Sequence, residues 1–192
     1  MGKLYDAIDD ALCRFIEAQK MFFVATAPLA AAGHVNLSPK GLDSFRVLDP
    51  RTVAYLDLTG SGIETVAHLR ENGRIVLLFC AFEGAPKIVR LHGRGEVVEP
   101  GDGRFAPLVA RFPSFASTRS IIVVSLERIA DSCGYGIPLY AFQGDRSQLG
   151  QWAERKGAEG IVRYREENNR RSIDGLDGLE SAAAPNERAR SG

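Results

Sequence analysis

The 192-residue sequence holds little of what usually announces a chemistry: three cysteines, three histidines, one tryptophan and no net charge. Cys13, Cys80 and Cys133 form no Cys-x-x-Cys pair, and no histidine stands near them at metal-ligand spacing. A zinc site and a disulfide framework are therefore both ruled out as organising features. An odd thiol count with no secretory leader leads to the expectation of a reducing, cytoplasmic compartment. The longest apolar runs, such as "RIVLLFCAF", are too short for a membrane helix. Lysine plus arginine equals aspartate plus glutamate at 24 each, which argues against a nucleic-acid partner. His34, His68 and His92 are scattered, so no metal set and no Ser-His-Asp arrangement emerges. His68, in a helical pattern, is expected at the surface, and His92 against a backbone carbonyl.

What is present is an ordinary soluble composition, 45% hydrophobic, in a chain long enough for one cored domain. "LYDAIDDALCRFIEAQ" spaces Leu4, Ile8, Leu12, Phe15 and Ile16 as one stripe of an amphipathic helix. Short runs rich in Val, Ile, Phe and Tyr follow: "MFFVATA", "HVNLS", "TVAYLDL", "RIVLLFCAF", "KIVRLHGRGEVVE" and "SIIVVSLERIA". Most follow one another without a helical crossover, which favours antiparallel pairing and a small barrel of about six strands. The glycines of "LHGRGEVVE" predict a bulge or bend. Helices are expected in "IETVAHLREN", "GDGRFAPLVARF" and "SQLGQWAERKG", and "RYREENNRR" is read as a solvated helix face or a mobile segment. The expected organisation is a barrel domain with its N-terminal helix over 1–145, a helical extension over 146–172 and a disordered tail over 173–192.

The stretch "LTGSGIETVAHLR" carries the main functional signal. Ser61 and Glu64 fit an S-x-x-E capping box, and Asn72-Gly73 is a helix stop. The same geometry can hold a phosphate, since the first N–H groups of a helix are free and Gly60 and Gly62 allow close approach. Thr59, Ser61 and Thr65 add hydroxyls. The stretch lacks the Lys-Ser/Thr pair of a P-loop and the spacing of a dinucleotide fingerprint. Upstream, in "HVNLSPKG", Asn36, Ser38 and Lys40 alternate and so share one strand face. That face is either solvated or meets a polar ligand, with Lys40 as a cationic partner.

In this order, a strand ending in Lys-Gly, the hydroxyl-glycine turn, a helix ending in Glu-Asn-x-Arg before an apolar strand, and Val-Arg-x-x-Gly-Arg, the chain resembles the pyridoxamine 5'-phosphate oxidase-like, FMN-binding split-barrel family. The resemblance spans roughly residues 15 to 130. It implies a mainly β (α+β) fold, a six-stranded antiparallel split barrel with peripheral helices. It further implies a homodimer with FMN at the subunit interface and an oxidoreductase activity on a small molecule. Carried over, Asn36, Leu37, Ser38 and Lys40 would lie along the flavin. Thr59, Ser61, Gly62, Glu64 and Thr65 would hold its phosphate, and Arg90 or Arg94 would add charge.

Two departures qualify what is carried over. The basic residues of the family's phosphate helix fall on Glu64 and Thr65, and its strand arginine falls near His34 or Val35. The C-terminal stretch "DSCGYGIPLYAFQGDRSQLGQWAERKG" does not match the family's substrate-holding segment, so a substrate other than pyridoxamine phosphate is expected. Trp152 reads as a core or interface anchor and Cys133 as packing. No catalytic residue is assigned and no metal is expected. The alternatives are a non-catalytic flavin or haem sensor, and a reductase using the deazaflavin F420.

Overall fold

The structure, a computed structural model, describes residues 2–180. Its elements are β1 (Leu4–Tyr5), α1 (Asp10–Ala18), β2 (Phe22–Thr26), β3 (Asn36–Lys40), β4 (Phe45–Asp49), β5 (Thr52–Leu58), α2 (Glu64–Asn72), β6 (Arg74–Cys80), β7 (Ile88–Val98), α3 (Phe105–Val109), β8 (Thr118–Ser132) and α4 (Gln148–Asn168). The strands form one sheet in the order β3-β2-β6-β7-β8-β5-β4, with β1 added beside β8. Every pairing is antiparallel.

The mainly β, antiparallel architecture with helices outside it is as the sequence implies. The sheet has eight strands rather than six and does not close. The two additional strands are short: β1 has two residues and β4 five. Leu4, expected in the first helical stripe, lies in β1 and is exposed. The helix starts later because Asp9 caps it, accepting the N–H of Leu12 at 2.8 Å.

The main core fills the curl of the sheet. Phe22, Phe45, Tyr55 and Phe79 pack with ring centroids 5.0–5.6 Å apart, mostly edge to face. Leu12 and Ile16 of α1, Val66 and Leu69 of α2, and Leu77, Leu91, Ile122 and Val124 of the strands complete it. Helix α2 stops at Gly73, whose φ of 69° suits glycine and whose N–H reaches the Leu69 carbonyl at 2.9 Å. The predicted bulge falls at His92/Gly93 against β8. A side chain at Gly93 would collide with the Ser125 carbonyl oxygen, so the strands approach there only because glycine is present.

The C-terminal region is more integrated than its composition indicates. Helix α4 bends at Gly157 (φ 65°), and Arg165, expected on a solvated face, is 1% exposed. The tail expected to be disordered from residue 173 is ordered to Glu180: the N–H of Gly178 bonds to Arg170 O at 2.9 Å, and Leu179 enters the main core. Residues 181–192, the rest of that tail, lie outside the described residues.

Candidate cofactor site

Strand β3 pairs with β2 so that Asn36, Ser38 and Lys40 stand opposite Thr26, Val24 and Phe22. Those three β2 residues are buried, so the polar row faces inward, half-buried, while Leu37 and Pro39 point outward and are exposed. The row is hydrogen-bonded to α2. Asn36 Nδ2 donates to Thr65 Oγ1 at 2.9 Å and to Thr26 Oγ1 at 3.3 Å, and the Ser38 hydroxyl donates to Asn36 Oδ1 at 3.0 Å. Thr26 Oγ1 also meets His68 Nδ1 at 2.9 Å. The Thr26 hydroxyl can both donate and accept, so the contact with Nδ1 forms with either tautomer of the ring. His68 Nε2 is buried and has no hydrogen-bond partner among the described residues.

His68 is thus not the surface residue that was expected; it is fully buried. Burial lowers its pKa, against the upward pull of Asp174, Glu64 and Glu71. Its helical spacing placed it correctly on α2, but which face α2 buries depends on the tertiary fold.

The turn before α2 departs from the expected capping box. The helix begins at Glu64 with Ile63 as N-cap and no side-chain cap bond, so Ser61 stands two residues too early and is exposed. The Glu64 carboxylate instead accepts the N–H of Ile173 at 3.3 Å and folds over Gly62, where a Cβ would meet it. Asp174, next along this C-terminal segment, bonds the N–H of His34 at 2.8 Å and its ring Nδ1 at 2.7 Å. The segment therefore ties the turn before α2 to the loop leading into β3.

Thr59 and Lys40 belong to a different construction. Asp57, on the inward face of β5, is fully buried and bonds Arg119 Nε at 2.6 Å and the Ser120 hydroxyl at 3.1 Å. Lys40 Nζ lies 3.7 Å from its other oxygen. Burial alone would raise the Asp57 pKa, but Arg119 and then Lys40 hold it below the ordinary carboxylate value. Arg119 continues to Asn169 Oδ1 at 3.0 Å, and Asn169 Nδ2 donates to the Gly60 carbonyl at 3.0 Å. Thr59 donates to Ser117 O at 2.8 Å and accepts from Arg165 Nε at 2.9 Å. Arg165 also reaches Thr118 O at 2.8 Å. Burial, then the nearby Arg119, brings the Arg165 pKa down to about 10. Thr59 is thus committed to a buried network that anchors α4. Arg119, Arg165 and Asn169 carried no sequence signal, because nothing local shows that the end of α4 meets the end of β5.

Arg90 does not join the other candidates. It lies on the outer face of β7, paired through Leu78 and Phe23 to Pro39, so three strand spacings, about 14 Å, separate it from β3. Its Nη1 donates to Ser132 Oγ at 2.9 Å. Of the ten predicted positions, Asn36, Ser38, Gly62, Glu64 and Thr65 come together. Leu37 faces outward beside them, Lys40 bridges to Asp57, and Thr59, Ser61 and Arg90 stand apart. No group of three or more His, Cys, Asp or Glu suited to a metal occurs among the described residues.

The donor set beside α2 suits a hydrogen-bonded anion. It offers the Thr65 and Ser38 hydroxyls, the Asn36 amide, the free N–H groups of the first helical turn and the imidazole Nε2 that has no partner among the described residues, with room at Gly60. Charge is sparse: Glu64 opposes an anion, and Lys40 is the nearby cation.

An open antiparallel sheet curled over its main core, with a polar edge strand facing a helix N-terminus, is the split-barrel architecture, and the candidate site lies between that strand and helix. Residues 8–133 match the model of the pyridoxamine 5'-phosphate oxidase family. The chain is 41% identical over 199 residues to the pyridoxamine 5'-phosphate oxidase family protein ustO of Aspergillus flavus, covering 95% of this chain and 80% of that protein. Among solved structures, a variant of HupZ from Group A Streptococcus is 25% identical with a TM-score of 0.51, covering 65% of this chain and 99% of that one. A Lactobacillus delbrueckii protein, 19% identical with a TM-score of 0.51, covers 66% of this chain and 98% of its own and shares the fold. The chain belongs to the pyridoxamine 5'-phosphate oxidase family. No described helix is long and apolar enough to cross a membrane.

Proposed function

We propose that this protein binds FMN as a homodimer, with the flavin at the subunit interface, and acts as an FMN-dependent oxidoreductase on a small molecule other than pyridoxamine 5'-phosphate. The observation that carries the reading is the convergence of Asn36, Ser38 and Thr65 on the open N-terminus of α2, beside a buried imidazole nitrogen, His68 Nε2, without a partner among the described residues. The Thr65 and Ser38 hydroxyls and the first-turn N–H groups would hold the phosphate, and Asn36 would fix their directions. Lys40 would supply the positive charge from its place beside Asp57. When bound, the flavin supplies hydride or single-electron transfer, which agrees with the lack of any described side chain arranged as nucleophile or general base.

A second copy is supported by the outer sheet face, where Val35 is 73% exposed and Leu37 67%, next to half-buried Phe23, Ala25, Val76 and Leu78. The different substrate is supported by α4. Trp152, half-buried, packs edge to face on Tyr164 of the same helix at 5.0 Å, and Arg165 turns into the chain's own interior, so this arginine is not presented to a ligand. The three free thiols suit a reducing cytoplasm.

The test is an absorption spectrum of the purified protein, followed by titration with FMN, riboflavin and F420. FMN should bind, riboflavin at least tenfold more weakly for want of the phosphate, and Asn36→Ala should lose about tenfold in FMN affinity, or about 1.4 kcal/mol. A colourless protein that binds no FMN at ~100 μM would overturn the reading.

A further inference from the structure

The outer face of the sheet changes character halfway across. One row of paired residues runs Leu37, Ala25, Val76, His92, Arg128, and the next runs Pro39, Phe23, Leu78, Arg90, Ala130. The first three positions of each row are apolar. At the fourth and fifth, Arg90, His92 and Arg128 occupy neighbouring positions on strands about 4.8 Å apart.

No carboxylate answers them among the described residues. The side chain of Arg90 bonds to the neutral Ser132 hydroxyl, and that of Arg128 has neither a hydrogen bond nor an ion pair among the described residues. The acids of the surrounding surface are engaged elsewhere: Glu127 with Arg94, Glu96 with Arg104, and Asp131 with Tyr5 and Lys87. Asp6 would stand opposite Arg128 if β1 continued, but the strand ends at Tyr5. Two guanidinium groups on one sheet face, with no carboxylate beside them among the described residues, set up a positive potential that attracts an anion. Burial and the adjoining Arg128 and Arg90 also keep the His92 imidazole neutral, its pKa lowered, so that it offers one N–H to a ligand beside the two cations.

The patch borders a shallow cavity of about 260 Å³, walled by Ala25, Ala27, Val35, Val76, Arg74 and His92. The apolar half of this face is the half proposed above to meet a second copy. A flat molecule carrying a carboxylate or phosphate would therefore lie at the edge of that interface, its acidic group toward the two arginines and the imidazole. We infer that Arg90, His92 and Arg128 form an anion-binding subsite on the outer sheet face, which recognises the acidic group of a planar, anionic substrate. This rests on the flavoprotein reading only for calling the ligand a substrate. The subsite itself stands on the sheet register and on the lack of a counter-charge among the described residues.

The first measurement needs no flavin: the His92 ring resonances are followed by NMR while inorganic phosphate, benzoate and benzylamine are added in turn. Phosphate and benzoate should shift them saturably and benzylamine should not. Arg128→Ala should weaken benzoate binding about tenfold, and Arg128→Lys should restore most of it. Benzoate bound equally well by Arg128→Ala, or no shift with any anion, would overturn the subsite. The second measurement separates two sources of the anion. If Arg128→Ala lowers the preference for FMN over riboflavin, the patch holds the cofactor's phosphate and the substrate assignment falls. An unchanged preference, with benzoate perturbing the spectrum of the FMN-loaded wild type alone, supports it. Failure of FMN to bind at all sinks the flavoprotein reading while leaving the NMR result to judge the patch.

Discussion

Two polar regions meet near Lys40, and they are built on opposite principles. Around Asp57 the groups are charged and buried, and the charged ones are paired or hydrogen-bonded: one carboxylate, Arg119 and Arg165, joined by Ser120, Thr59 and Asn169. The nearby Tyr55 and Thr118 hydroxyls have no partner among the described residues. Around Asn36 the groups on β3 are neutral and half-exposed, and the chain of hydrogen bonds ends in an imidazole nitrogen with no partner among the described residues. Removing a charge from water costs several kcal/mol, so the first arrangement persists only with all its members present and acts as structure. Neutral hydroxyls and amides lose little by exchanging one partner for another, so the second can admit a ligand. The candidate for binding is therefore the neutral, half-exposed cluster, and the buried charged one holds the fold together.

The comparison breaks most readily at Asp57. Asp57→Ala leaves Arg119 buried beside Lys40 without a carboxylate and should cost about 3–5 kcal/mol in chemical denaturation. A loss under about 1 kcal/mol would mean that the network is not what holds the end of β5 to α4. Acid should act in the same direction. The folded pKa of Asp57 is depressed, so its contribution is complete above the unfolded carboxylate value of about 3.9 and disappears as pH falls through the folded value.

A smaller effect distinguishes the other region. His68 has a folded pKa below its unfolded value of 6.5, so the unfolded chain binds the proton first. Stability is complete above about pH 6.5 and declines as pH falls from there toward the folded value. His68→Gln keeps a polar partner for Thr26 and should flatten that decline, as read from urea midpoints between about pH 5 and 7.5. Equal slopes in variant and wild type would show that another group titrates.

How much of this was legible depended on the range of the interaction. The antiparallel order, the Asn36–Ser38–Lys40 face and the stop at Gly73 follow from alternation and turn chemistry, which act within a few residues. The inward turn of Arg165 and Asn169 does not. Their run, "RYREENNRR", has the composition of a solvated helix, and only the approach of α4 to Thr59 and Gly60 makes it a core element. Within the candidate site, Asn36, Ser38 and Thr65 were found because strand and helix each have a fixed period. His68 was misplaced, because a helical period names a face without saying what covers it. Arg90 was grouped with them on family-like spacing along β7, which does not show that three strand spacings lie between it and β3.

The smallest expected effect is the sharpest test of the turn. A capping box would make Ser61→Ala cost about 1 kcal/mol, because an N-cap hydroxyl satisfies an otherwise free N–H. Here α2 begins at Glu64, Ile63 occupies the N-cap, and Ser61 is exposed with its hydroxyl outside the helix. Ser61→Ala should therefore change stability by less than about 0.5 kcal/mol, as exposed substitutions do. Glu64→Ala differs, because its carboxylate receives the N–H of Ile173. Removing it should loosen the C-terminal segment over the turn, seen as faster hydrogen exchange at Ile173, while relieving the repulsion of an anion at the helix N-terminus. A Ser61→Ala cost near 1 kcal/mol, with Ile173 exchange unchanged in Glu64→Ala, would restore the capping box. The turn before α2 would then be a helix start rather than the rim of an anion site.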